Sequence, residues 1–127
     1  MIHRALARSA PLPVSHQPAI FKRVLLGTGE LPGLAGFSQA VFAPGDVAPG
    51  HRHRDMWEVF FVRAGRGTIR VDGVESALEE DDCWVIEPGE SHEIRNDGDT
   101  ALVLLYFGLE PAAGARHEST GEPHGQS

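Results

Sequence analysis

Short apolar runs alternate along this chain with turns rich in glycine and proline, and no stretch has the periodicity of an amphipathic helix. Runs of this length, rich in β-branched and aromatic residues, predict strands. Asp72-Gly73, between two such runs, is a strong signal for a two-residue hairpin turn. The predicted strands cover residues 20–26, 37–42, 57–63, 68–71, 74–78, 83–86, 92–95 and 101–107. Many short strands without helices indicate an all-β sandwich or barrel.

The predicted strand at residues 57–63 is apolar on both faces except at Glu58. Alternate side chains of a strand point to opposite faces. If Glu58 faces the interior, Phe60 and Val62 face it as well, and the residues between them face outward. A strand that is apolar on both sides is covered on both sides. A second sheet is expected to cover one face, and a subunit interface is a good candidate for the other.

The two ends of the chain differ from its middle. Residues 1–19 contain three prolines and no sustained periodicity, which indicates an arm that lies against the barrel or a partner subunit. Residues 20–110 form the predicted domain. Residues 111–127 are rich in Gly, Ser, Glu and His, and we expect a flexible tail. An arm together with outward apolar residues at Val59 and Phe61 predicts a homodimer.

Length, charge and cysteine content narrow the classes of partner and compartment. The 127 residues fit one domain, and the net charge of −7 argues against nucleic acid or an anionic membrane as partner. No stretch reaches the ~18 apolar residues of a membrane span. The first residues lack the apolar centre of a secretory signal, so a cytoplasmic protein is expected. A single cysteine, Cys83, excludes an internal disulfide.

Three histidines and one glutamate are the candidate metal ligands. His51 and His53 are two residues apart, so an extended strand would turn both imidazoles to one face. An isolated pair of this kind is more often a pair of ordinary core or surface histidines. Here Glu58 interrupts an apolar strand, and a buried carboxylate without a partner is costly, a cost that a metal relieves. With His92, these residues form a common ligand set for a divalent metal.

At these residues the sequence resembles the cupin superfamily. The first cupin motif is matched in full by Gly45, His51, His53, Glu58 and Gly65. Most of the second motif is matched by Pro88, Gly89, His92 and Asn96. Asp81 stands where a glycine is common, and Glu87 replaces the usual first proline. Neither departure is at a ligand position, so they affect turn geometry rather than metal binding.

The resemblance covers about residues 37–107 and implies a small single-domain cupin. Its fold would be a single jelly-roll β-barrel, or double-stranded β-helix, with a site inside the barrel mouth. His51, His53, Glu58 and His92 would hold one divalent transition metal, with Fe, Mn, Zn and Ni all compatible. An open position on that ion would be available to a small molecule. The alternative is a cupin in which the same residues bind a ligand directly by hydrogen bonds.

A further set of residues is predicted to line a small-molecule pocket. These residues are Phe42, Phe60, Val62, Arg70, Trp84 and Ile94. The apolar members could equally belong to the core, since the same side chains serve both purposes. Arg70 is a candidate for binding an acidic substrate. Arg63 and Arg95 should point outward, since each alternates with a residue that faces the site.

Two functions from different classes fit this pattern. The first is a small metal-dependent enzyme, which within the cupins includes dioxygenases, isomerases and epimerases, lyases and cyclases. The second is a non-catalytic module that binds or senses a small molecule or metal. No residue selects the reaction, and none is identified as its acid or base. The enzyme is favoured over the binding module. A structural role such as seed storage is weaker still, because an intact ligand set has little purpose in a structural protein.

Overall fold

The computed structural model describes residues 1–14, 17–52 and 55–111, and within them only the backbone of residues 17–19, 51 and 52. The predicted tail after residue 111 therefore lies outside the described residues. In the part of the chain that is described, no helix is long and apolar enough to span a bilayer.

The described residues form one short 3-10 turn, Leu6–Arg8, and ten strands. The strands are β1 (Pro11–Val14), β2 (Gln17–Leu26), β3 (Leu34–Phe42), β4 (Val47–Arg52), β5 (Trp57–Ala64), β6 (Gly67–Val71), β7 (Val74–Leu78), β8 (Cys83–Ile86), β9 (Ser91–Arg95) and β10 (Leu102–Leu109). Each strand predicted from the sequence coincides with one of these to within a few residues. Two strands, β1 and β4, were not predicted.

The strands form two antiparallel sheets. The larger sheet has the order β1-β2-β3-β10-β5-β8, and the smaller has the order β4-β9-β6-β7. Non-consecutive neighbours such as β3 and β10 arise because the chain crosses repeatedly between the sheets. This arrangement confirms the predicted all-β jelly-roll fold.

The core lies between the inner faces of the two sheets. On β5, Phe60 and Val62 are buried, whereas Trp57 and Phe61 are each 36% exposed, which confirms the predicted alternation. The remaining buried apolar residues are Ile20, Ala40, Phe42, Ile69, Leu78, Ile86, Ile94, Leu102 and Leu104. Glu58 shares the face of Phe60, so the fold directs a carboxylate into the barrel.

The first residues of the chain lie against the larger sheet. Residues Pro11–Val14 pair with β2, and the Ser9 hydroxyl donates a hydrogen bond to the Val24 carbonyl oxygen at 2.9 Å. Arg4 and Glu30 form an ion pair at 2.6 Å. Hydrogen bonds from Arg4 and from the Gly27 amide lower the pKa of Glu30 to about 2. Much of the predicted arm is therefore a strand of the larger sheet or is hydrogen-bonded to that sheet.

Gly65 is required by the turn between β5 and β6. Its φ is +82°, and a Cβ there would lie 2.1 Å from the Ala101 carbonyl oxygen. Gly65→Ala should lower the free energy of unfolding by about 2–4 kcal/mol, because left-handed strain adds to a backbone clash. Urea unfolding of the two proteins measures this difference.

Gly73 is a matched control for that substitution. Its φ is +85°, but a Cβ there would meet no atom within 4 Å. Gly73→Ala should therefore cost only the left-handed strain, about 1 kcal/mol. Equal losses at Gly65 and Gly73 would show that the contact with Ala101 does not restrict the turn.

Candidate functional site

A cavity of about 230 Å³ lies between the inner faces of the two sheets. Most of its wall is apolar, with a few polar groups that converge on it. The residues that line it are Val14, Lys22, Ala35, Ala40, Phe42, Ala48, Met56, Glu58, Phe60, His92, Ile94, Leu104 and Tyr106. A concave apolar chamber with a few polar groups is the usual form of a small-molecule site.

Glu58 and His92 meet at the wall of this cavity. Glu58 comes from β5 in the larger sheet and His92 from β9 in the smaller, so the two sheets bring together residues far apart in sequence. His92 Nε2 lies 3.3 Å from Glu58 Oε1, and both side chains are largely buried. Burial raises the pKa of the Glu58 carboxyl to about 7, because desolvation disfavours the charged form.

For the other two predicted ligands, His51 and His53, the structure describes only the backbone of His51. The Cα of His51 on β4 is paired with the Cα of His92 on β9. The side chain of His51 and the whole of His53 lie outside the described residues. Among the side chains that are described, no group of three or more His, Cys, Asp or Glu residues could hold an ion. Of the four predicted ligands, the structure thus brings together Glu58 and His92.

Three rings, those of His92, Phe60 and Tyr106, lie one after another along the cavity wall. The Phe60 ring centroid lies 5.5 Å from that of His92 and 5.6 Å from that of Tyr106, with which it stacks. Burial raises the pKa of Tyr106 to about 12, although a hydrogen bond with Ser38 acts in the opposite direction. The phenol is therefore neutral at physiological pH and can donate a hydrogen bond inside the cavity.

The predicted pocket residues divide into two groups. Phe42, Phe60 and Ile94 line the cavity. Val62, Trp84 and Arg70 do not line it: Val62 is fully buried in the core, and Trp84 packs against that core. Arg70 was expected as a possible substrate contact, but its guanidinium pairs with Glu75 at 2.7 Å on an exposed hairpin. Its neighbours on β7 and β9 neutralise it outside the barrel.

Sequence reasoning missed two polar residues of the cavity, Lys22 and Tyr106. Each could have been found from alternation, since Lys22 is two residues after buried Ile20 and Tyr106 is two residues after buried Leu104.

Asn96 has a structural position next to the site. Its amide donates hydrogen bonds to the carbonyl oxygens of Phe42 at 2.9 Å and Thr100 at 2.8 Å, and its side-chain oxygen accepts one from the Gly98 amide. Asn96 is 1% exposed. It thus ties the end of β3 to the turn that follows β9, which holds the β9 strand and His92 in place.

Comparison with known proteins identifies the family. A cupin domain model matches residues 38–108. The oxalate-binding protein of Thermotoga maritima is 29% identical over 69 residues, which are 54% of this chain and 57% of that protein. Gentisate 1,2-dioxygenase 1 of Aquipseudomonas alcaligenes is 31% identical over 85 residues, which are 60% of this chain and 24% of that protein. The chain thus spans less than two thirds of either relative.

A solved structure shares the fold. The crystal structure described as that of a predicted oxalate decarboxylase from Thermotoga maritima matches with a TM-score of 0.80 and 21% identity, covering 87% of this chain and 100% of that chain. At this identity the likeness concerns the fold alone. Since the cupin domain model spans more than half of the sequence, with its match at residues 38–108, the chain belongs to the cupin family.

Proposed function

We propose that this cupin is a metal-dependent enzyme that acts on a small, oxygen-rich molecule bound inside the barrel. One divalent transition ion, Fe, Mn, Zn or Ni, would be held by His51, His53, Glu58 and His92. The observation on which this rests is the 3.3 Å contact between Glu58 Oε1 and His92 Nε2 at the wall of a largely apolar cavity.

The two described donors fit an ion in both chemistry and spacing. A carboxylate oxygen and an imidazole nitrogen are ordinary ligands of all four metals. Two donors at about 2.1 Å from one ion are separated by about 3.0 Å at a right angle and about 3.4 Å at a tetrahedral angle. The observed 3.3 Å falls between these values. A cation there would also offset the cost of the buried Glu58 charge.

The backbone supports the inclusion of His51 in the set. Directly paired residues of antiparallel strands lie on the same face of a sheet, with Cβ atoms about 5 Å apart. The pairing of His51 with His92 therefore puts both residues at the same register position of β4 and β9. His53 enters the proposal through its place in the cupin motif.

The residues around the donors would bind and orient the ligand. When bound, the ion supplies Lewis-acid polarisation of a ligand oxygen or, for iron or manganese, access to O2 chemistry. Tyr106, a neutral phenol in the cavity wall, donates a hydrogen bond to a developing negative charge on the ligand. Phe42, Phe60 and Ile94 exclude water from the ligand's apolar part. Dioxygenases, isomerases and epimerases, lyases and cyclases all fit this arrangement, and the similarity to a gentisate dioxygenase supports an enzyme.

A non-catalytic binding module is the second candidate. It is supported by the similarity to a protein described as an oxalate-binding protein. The two candidates differ in whether the ligand is converted, which activity assays decide. The identity of the metal determines which assays are run first. Iron favours oxygen-consumption assays, whereas zinc or nickel favours tests of isomerase, lyase or cyclase activity.

The metal site is tested by elemental analysis of protein purified without a nickel column. We expect about one transition ion per chain in the wild type and almost none in His53→Ala or His92→Ala, because each loses a ligand. His3→Ala is the matched control, since His3 is exposed at the start of the chain, and should retain the metal. Wild-type protein that remains metal-free and gains no thermal stability from added Mn, Fe, Ni or Zn would overturn the proposal.

We also propose that the chain forms a homodimer through the outer face of the larger sheet. Six large apolar residues on that outer face are at least 36% exposed: Phe21, Val41, Trp57, Phe61, Val85 and Leu109. Such a face is unusually apolar for a monomer surface. A second copy of the same sheet is the partner that matches it.

A further inference from the structure

The ligand chamber has two lobes. A second cavity of about 190 Å³ adjoins the first, and five residues line both: Lys22, Ala35, Met56, Glu58 and Tyr106. The first lobe is walled by apolar side chains such as Phe42 and Leu104, whereas the second includes Thr28 and Ser38. The shared residues therefore mark the junction between an apolar lobe and a more polar one.

Lys22 is the cationic residue at this junction. It is the only lysine of the chain, against ten arginines. On β2 it is paired with Ala40, a buried residue of β3 that also lines the first lobe, so Lys22 faces the barrel interior. It is half-buried, and within the described part of the chain no hydrogen bond or ion pair of its ammonium group is found.

Three arginines of the described residues are placed differently. Arg4 is paired with Glu30, and Arg70 and Arg95 are both paired with Glu75. These arginines lie on the outside of the barrel and are neutralised there. Lys22 is inside, and no carboxylate of the described residues pairs with it, although the chain has a net charge of −7. Partial burial of an unpaired ammonium is unfavourable unless an anion joins it.

We propose that Lys22 binds the carboxylate of an organic acid whose apolar body occupies the lobe walled by Phe42 and Leu104. This inference rests on the proposed function, because it names the class of substrate that the same chamber would bind. A carboxylate is favoured over a phosphate because one ammonium group matches a single negative charge, and Glu58 at the same junction would repel a dianion. The acid would thus extend from Lys22 toward Glu58 and His92.

Two probes of the same shape test this assignment. Benzoate and benzamide differ chiefly in charge, and calorimetric titration of the full-length protein measures the affinity of each. Titrations are made on metal-free protein and again after metal is restored. We expect wild type to bind benzoate about tenfold more tightly than benzamide, because one charge-assisted hydrogen bond contributes about that much affinity. Lys22→Met should abolish this preference and leave the benzamide affinity unchanged, whereas Lys22→Arg should keep part of it.

The controls separate this proposal from the metal site. Arg8→Met removes an exposed cation that is not among the residues lining either lobe and should not alter the preference. Thermal unfolding of each variant establishes that it is folded. A benzoate preference that survives Lys22→Met, or that arises only when metal is present, would overturn the role of Lys22. A wild type without any preference would do the same. A Lys22-dependent preference in a protein that never binds metal would uphold the inference and refute the proposed metal site.

Discussion

Replacing Glu58 by glutamine is expected to stabilise the metal-free protein at pH 8 and to destabilise the metal-loaded protein. Burial raises the pKa of Glu58 from its usual 4.5 to about 7. The folded state therefore binds a proton that the unfolded state releases between those values. The stability due to this group is complete below about pH 4.5 and is lost as the pH rises through 7. The loss amounts to about 3 kcal/mol, which Glu58→Gln should recover.

Metal reverses the sign because it binds the charged form of Glu58. An ion at about a hundred to a thousand times its dissociation constant stabilises the folded state by about 3–4 kcal/mol. Glu58→Gln replaces a charged ligand by a poor one and should forfeit most of that gain. Urea unfolding of both proteins from pH 4.5 to 8, with a chelator or with added metal, measures the difference.

Other titrating groups also contribute to the pH dependence of stability. Because wild type and Glu58→Gln share these groups, the difference between the two proteins isolates the contribution of Glu58. Glu93→Gln is a suitable control, because Glu93 alternates with His92 on β9 and lies near exposed Arg70. It should show neither the gain in metal-free protein nor the loss in metal-loaded protein. If Glu58→Gln destabilised the metal-free protein as well, Glu58 would be a net stabilising partner in the fold and not a ligand held in an unfavourable state.

The fold could be predicted from the sequence because most strands have a strong apolar pattern. The two strands that escaped prediction lie at sheet edges, where that pattern is weak. β1 is the edge of the larger sheet and contains Pro11 and Pro13, and β4 is the edge of the smaller sheet and contains Pro49. Proline lacks an amide donor and is therefore tolerated at edges, but in a sequence it indicates a break.

The site could be predicted only in part. The charge of Glu58 within an apolar strand and the motif spacing of His92 were visible in the sequence. Their contact across the two sheets was not, because it depends on the pairing of distant strands. Lys22 and Tyr106 lie on inward positions of β2 and β10, and only the topology reveals that these strands border the same chamber. Arg70 was considered instead because an exposed ion pair is not visible in sequence spacing.

The outer face of the larger sheet offers the second large effect. Strand pairing places Phe61 of β5 beside Leu105 of β10, and Phe21 of β2 beside Val41 of β3. Directly paired residues share a face, so apolar side chains extend across much of the sheet. Phe61 lies on β5, between β10 and the edge strand β8, and is 36% exposed. In a dimer through this surface, it would be buried in the interface.

Phe61→Glu is expected to convert the dimer to a monomer. A carboxylate buried in an apolar interface lacks a partner there, and the two-fold symmetry introduces it twice, at a cost of about 2 kcal/mol or more for each copy. Sedimentation equilibrium should give twice the chain mass of 13.7 kDa for wild type and one chain mass for the variant. Val74→Glu places the same charge on a residue that is 68% exposed on the smaller sheet, and it should remain dimeric. A wild type that sediments as a monomer, or a Phe61→Glu protein that remains dimeric, would mean that this face is not the interface, since the charge leaves the inner face of β5 and the barrel core unchanged.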